Sequence, residues 1–236
     1  MPKSHSDDAR NRLQPNPPIA VSPSEASVKT DKPFVPLELK LAYTAFMAVL
    51  IPVYVYYYGP ANFLYFCDVA LLLTLAGIWL EDRLLISMSA VGILAPQILW
   101  LVDFFAQFIG IPITGVTNYM FDANKPLFLR GLSLFHGWLP LLLLYLVWRN
   151  GYDRRALKVW TVLAWLIILV CYFLMPGPRA NPGNAAVNIN YVHGFSDTAA
   201  QTWMHPLLWV ALIMIALPAV LCFPTHLALS RWKGGT

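Results

Sequence analysis

Residues 62–80 read NFLYFCDVALLLTLAGIWL, an apolar run with one carboxylate, Asp68, set inside it. A bilayer-spanning helix needs about 20 predominantly apolar residues, and this run has that length. A charged residue at membrane depth costs about 2.5–3.5 kcal/mol on insertion scales, so it faces protein or a watery cavity. The run therefore predicts a membrane helix, over about 61–80, whose acid turns inward toward partners.

Five further blocks of the same kind lie at about 39–58, 84–111, 129–148, 158–176 and 203–223. The whole chain agrees with them: its 236 residues are 58% hydrophobic and 12% charged, with a mean hydropathy of +0.57. A soluble domain carries about 25% charged residues. The expected fold is all-α, a polytopic membrane protein with six transmembrane helices in one domain over 38–226. Residues 1–37, rich in Pro, Ser, Asp and Lys and without apolar periodicity, read as a disordered cytoplasmic tail. Residues 227–236 read as a short basic tail. The first apolar block begins near Leu41, too late for the core of a cleaved signal peptide, so it is expected to stay as the first membrane helix.

Orientation follows from the placement of positive charge, which is retained on the cytoplasmic side. With the N-terminus inside, Lys125, Arg130 and Arg179 alone among the 16 Lys and Arg residues fall on the outer side. Both termini are then cytoplasmic, and the loop from Arg149 to Lys158 decides most because it is short and flanked by two membrane ends. Cys67, Cys171 and Cys222 are scattered through apolar runs with no C-x-x-C pair, which points to packing and not to a disulfide framework.

In this topology Asp68 lies roughly 10 Å below the outer surface, Asp103 roughly 12 Å and His136 roughly 10 Å, at 1.5 Å per residue. Asp103 shares a helical face with Gln107, Trp100, Pro96 and Ser89, and His136 shares one with Ser133 and Pro140. Pro52, Pro96, Pro140 and Pro218 are each expected to bend their helix, and Pro140 frees the carbonyl of His136. Asp68, Asp103 and His136 are the candidate catalytic residues. If they meet, one carboxylate pairs with a protonated His136 while the other acid is neutral or shares a proton.

The last outer loop, Gly177 to Trp203, is long for a compact bundle and suits a lid or binding segment. It holds Arg179, Asn190 and His193, which with Arg130 are the candidate substrate-binding residues. Within it VNINYV alternates polar and apolar residues, as a short extended strip across the bundle mouth would. Neither outer loop carries an N-x-S/T sequon, which fits a bacterial inner membrane.

Three readings of function compete. A membrane-embedded hydrolase or transferase would act on a lipid-like substrate, with zinc as its natural cofactor and His136, His193 and His205 as nitrogen ligands. No H-x-x-x-H or H-E-x-x-H pair places two such ligands on one helix. A proton-coupled transporter would use Asp68 and Asp103 as titrating groups. A structural or interaction protein would use the buried polar groups only as interhelical hydrogen bonds. The cationic loop at Arg149–Lys158 suits topology and anionic lipid headgroups at the cytoplasmic face of the bilayer, not nucleic acid.

The stretches YGPANFLYFCD, FLRGLSLFHGWLP and VNINYVHGFSDTA, together with APQILWLVDFFAQ and GYDRRAL, resemble a family of uncharacterised bacterial multi-pass integral membrane proteins. The resemblance covers the chain from about residue 50 onward and takes in Asp68, Asp103, Asp122 and His136. It implies a bacterial membrane protein and carries no activity with it.

Overall fold

The computed structural model describes residues 34–111, 113–179 and 183–232. The expected tail over 1–37 falls outside the described residues up to position 33, as does the end of the basic tail at 233–236. Among the described residues every regular element is helical.

Helix α1 (Leu37–Tyr58) follows Pro36 and runs through Pro52. It stops at Gly59, whose φ of 82° suits glycine and whose N–H closes onto the Val55 carbonyl. Pro60–Leu64 then form a 3-10 turn, so α2 (Phe66–Leu80) is shorter than the helix expected from 61. It ends at Glu81 in the left-handed region, and Asp82 caps α3 (Arg83–Phe108) by accepting the Leu85 N–H at 2.8 Å. The Glu81 carboxylate ties this turn to the start of α1, accepting from Lys40 Nζ at 2.6 Å and the Phe34 N–H at 3.1 Å. Burial pushes that carboxyl up, but Lys40 and the Phe34 N–H outweigh it and hold the group below its ordinary value.

The short α4 (Asn118–Phe121) lies in the following connection. The fourth apolar block is split at Leu134 into α5 (Leu127–Ser133) and α6 (Phe135–Asn150). α7 spans Ala156–Leu174. The last block consists of α8 (Pro206–Ala216), a π-helical segment over Leu217–Cys222 and α9 (Phe223–Trp232). Pro218, lacking an N–H, lies inside this segment, where the ladder shifts register. The helix runs on past the expected end near 223 into part of the segment read as a tail.

Five spans among the described residues are long and apolar enough to cross a membrane: Leu37–Tyr58, Arg83–Phe108, Leu127–Asn150, Ala156–Leu174 and Pro206–Trp232. The sixth expected crossing corresponds to α2, whose 15 residues fall short of that length. α3 is the spine of the bundle, because 61% of its apolar stretch is buried against at most 39% in the other four. Small residues make this central position available. The Trp160 ring of α7 occupies the space where a side chain on Gly92 would begin, and a Cβ on Gly77 would come within 2.9 Å of Ile86. Ser89 Oγ donates to the Ala70 carbonyl at 3.2 Å. The connections from 109 to 126 and from 175 to 205 share one end of the bundle, the loop end. Arg83, Arg149, Arg154, Arg155 and Lys158 mark the other, the basic end.

Candidate functional site

Asp103 sits near the end of α3, 1% exposed, and is saturated with donors. Its Oδ1 accepts the N–H groups of Thr114 at 2.6 Å and Gly115 at 3.2 Å. Its Oδ2 accepts the Thr117 N–H at 3.0 Å and the Thr117 hydroxyl at 2.6 Å. Gly115, at φ +76°, lets the chain turn back over the helix end to reach it. The expected polar stripe is real, with Ser89, Trp100 and Asp103 all buried, but Asp103 is the clasp of the 113–117 loop.

Asp68, in the first turn of α2, is equally hidden at 3% exposed and has the opposite environment. Its Oδ2 accepts from Asn62 Nδ2 at 3.0 Å, and its buried Oδ1 has no partner among the described residues. The contact of Gly77 with Ile86 and the bond from Ser89 to Ala70 set the antiparallel register of α2 and α3. At 1.5 Å per residue that register puts Gln97 level with the first turn of α2 and Asp103 roughly 10 Å further toward the loop end. Gln97, 2% exposed, also leaves both side-chain polar atoms without a partner. The equal depth expected for the two acids took both helices to end at one level; the tight turn at Glu81–Asp82 pairs the 15 residues of α2 with the first part of the 26-residue α3, whose far end carries Asp103 beyond the start of α2.

Between these two levels lies an aromatic and hydroxyl layer. Tyr54 and Ser133 share a hydrogen bond of 2.9 Å between their hydroxyls. Trp100 stacks on His136 at 4.8 Å and on Phe104 at 5.2 Å. The Trp100 indole adjoins the Tyr119 hydroxyl, although its Nε1 meets no acceptor in hydrogen-bonding geometry. Burial pushes the Tyr119 hydroxyl above its ordinary value, and nearby Cys67 and Asp68 add to the rise against Trp100 and Ser133.

His136 explains the break at Leu134. Gly137 N–H bonds to the Leu134 carbonyl at 2.9 Å instead of the Ser133 carbonyl four residues back. The released Ser133 carbonyl is taken by His136 Nδ1 at 2.8 Å. A carbonyl only accepts, so Nδ1 carries the proton and, in the neutral ring, Nε2 keeps its lone pair. This break lies six residues before Pro140, whereas the carbonyl that Pro140 leaves without a donor is that of His136, inside α6. Among the described residues no hydrogen bond or ion pair joins Asp68, Asp103 and His136 to one another.

The remaining candidates divide by role. Asn190, left-handed at φ 58°, stitches the long loop onto α2: its Oδ1 accepts the Phe66 N–H at 3.2 Å and its Nδ2 donates to the Leu64 carbonyl at 2.8 Å. VNINYV is therefore a plug and not an extended strip, with Val187, Asn188, Ile189, Asn190 and Val192 all buried. His193 packs on Tyr172 with its buried Nε2 unpartnered, and burial holds its imidazole below the ordinary value. Arg179 is tied through its backbone N–H to the Asp197 carbonyl at 3.1 Å. Arg130 donates from Nη1 to the Met120 carbonyl at 3.1 Å and leaves its buried Nε without an acceptor. His205 caps α8, accepting the Leu207 N–H at Nδ1. His136, His193 and His205 do not converge: among the described residues no three His, Cys, Asp or Glu side chains group closely enough to hold a metal ion.

Asn62, Tyr54, Tyr119 and Thr117 belong to this region and were not singled out from the sequence. Asn62 could have been found as the nearest polar residue in the run that holds Asp68. The tyrosines carry no such signal, because tyrosine near a membrane end is ordinary interfacial composition. No protein-family model, curated protein or solved structure matches the chain.

Proposed function

We propose that this chain is a multi-pass membrane enzyme, a hydrolase or transferase for an amphipathic, lipid-like substrate that enters at the loop end of the bundle. The observation that carries this reading is the contrast between two buried acids. Asp103 has donors on both oxygens, as a structural carboxylate should, whereas Asp68 keeps Oδ1 bare in a place closed to solvent. An unpaired buried polar atom is costly, and an ionisable residue at membrane depth that no structural bonds account for is a candidate functional group.

A groove of about 370 Å³ at the loop end supports the substrate class. Phe104, Phe108, Phe121, Leu127 and Leu134 line it for an acyl chain, with Arg130 beside them for an anionic group. Phe104 also stacks on Trp100, so the groove borders the aromatic layer above Asp68. In the reaction Asp68 takes a proton from a water or acceptor hydroxyl as that oxygen bonds to the ester carbon or phosphorus. The bond to the leaving oxygen breaks, and that oxygen receives the proton from Asp68. The basic end is taken as cytoplasmic, with α2 and its 3-10 turn together forming a sixth crossing in a bacterial inner membrane.

The test is mass-spectrometric analysis of phospholipids and lysophospholipids incubated with purified protein. Wild type should release or transfer a headgroup or acyl chain, Asp68→Asn should lose about a hundredfold or more in rate, and Arg130→Ala should raise KM. Turnover untouched in Asp68→Asn would overturn the assignment. A second reading, proton-coupled transport, is favoured by Thr74 Oγ1 and the Gln97 amide, which are buried and unpartnered and carry polar groups inward along α2 and α3. Uptake into vesicles that is driven by a pH gradient and abolished in Asp68→Asn, without lipid turnover, would select it.

A further inference from the structure

At the basic end a second groove, of about 600 Å³, runs between α3 and α7. Its apolar wall is Met88 with Val159, Val162, Leu163 and Leu166, and Arg155 and Lys158 stand at its rim. The α7 residues follow an i, i+3, i+4, i+7 pattern, which puts them on one helical face. Val159, Val162 and Leu166 are exposed along it. That face therefore begins with cations at the start of the helix and continues as hydrocarbon for two turns, roughly 10 Å.

The unpaired charge at the rim, among the described residues, is that of Lys158. Arg155 is held by Asp153 at 2.7 Å with its side chain largely in the open, while Lys158 is exposed and makes no ion pair among the described residues. Arg154 is exposed beside them. The first turn of α7 adds the positive end of its dipole.

We propose that this groove binds one anionic phospholipid from the leaflet facing the basic end. Its phosphate sits on Lys158, beside the Asp153-paired Arg155, and one acyl chain lies along Val159, Val162 and Leu166. Cation at the membrane end followed by an apolar channel matches a lipid with a net negative headgroup and disfavours a zwitterionic one, whose own ammonium would face Lys158. The site is separate from the loop-end groove and does not rest on the enzymatic reading.

Native mass spectrometry of the full chain in detergent tests this, with phosphatidylglycerol and phosphatidylcholine of identical acyl chains as the two probes and glycerol phosphate as competitor. Wild type should retain phosphatidylglycerol about fivefold more than phosphatidylcholine, the order of effect expected of one basic residue at a membrane surface. Lys158→Gln should remove the preference and Lys158→Arg restore it. Val162→Trp, on the exposed face of α7, should fill the channel and lower retention of both lipids, whereas Leu141→Trp on the exposed face of α6 should lower neither. No preference in wild type, a preference kept in Lys158→Gln, or equal losses in Val162→Trp and Leu141→Trp would overturn the proposal. Displacement of the bound lipid by glycerol phosphate alone would also overturn it, by showing a site for free phosphate and not for a lipid.

Discussion

Asp68 and Asp103 are the same residue type, similarly buried, and differ in what surrounds their oxygens. Asp103 accepts from three backbone N–H groups and one hydroxyl, so replacing it by Asn turns one acceptor oxygen into a donor facing donors. Hydrogen bonds to a charged group are worth about 1.5–3 kcal/mol each. Asp103→Asn should therefore cost about 2–3 kcal/mol and open the 113–117 loop, seen as a lower unfolding midpoint in detergent and faster proteolysis there. Asp68→Asn keeps an oxygen for Asn62 and should change stability by about 1 kcal/mol or less, on the scale of a neutral hydrogen bond. If Asp68→Asn proves as damaging as Asp103→Asn, Asp68 is a packing residue and the catalytic role falls with it. The presence of both acids in apolar runs was legible in the sequence; their separation was not, because it depends on the register that the turn at Glu81–Asp82 sets between α2 and the longer α3.

At the level of elements, α3 holds the bundle together through its small residues. Gly92 meets the indole of Trp160, itself fully buried, and a methyl group there overlaps the ring. Gly92→Ala should destabilise by about 1–3 kcal/mol, the usual cost of overpacking a core, and Trp160→Phe should recover part of that loss when the two are combined. Thermal unfolding of the two single variants and the double variant measures the coupling; strictly additive effects would show that α3 and α7 do not meet at this contact. The inward face of α3 was readable from helical spacing at Ser89, Trp100 and Asp103. The break at Leu134 was not. Proline at 140 announces a missing donor for the His136 carbonyl, whereas the break involves the Ser133 carbonyl, which the His136 side chain takes.

For the whole molecule, the segregation of charge carries the orientation. Arg83, Arg149, Arg154, Arg155 and Lys158 gather at one end of the bundle, so that end should face the cytoplasm. A periplasm-active reporter fused after Thr236 should be silent and a cytoplasm-active one bright; the reverse result would invert the site and place Asp68 in the inner leaflet. Membrane class, the rough positions of the apolar blocks and this charge asymmetry are sums over neighbouring residues, which is why they can be read along the chain without knowing any contact. What partners each buried polar group is set by register between segments far apart. Asn190 closes the start of α2 across 124 residues, and Tyr54 meets Ser133 across 79. Composition could announce that Asp68 needs partners. Packing alone decided that Asn62 would satisfy one of its oxygens and that the other would stay bare, because that outcome depends on a 3-10 turn, a helix start and a docked loop arriving together.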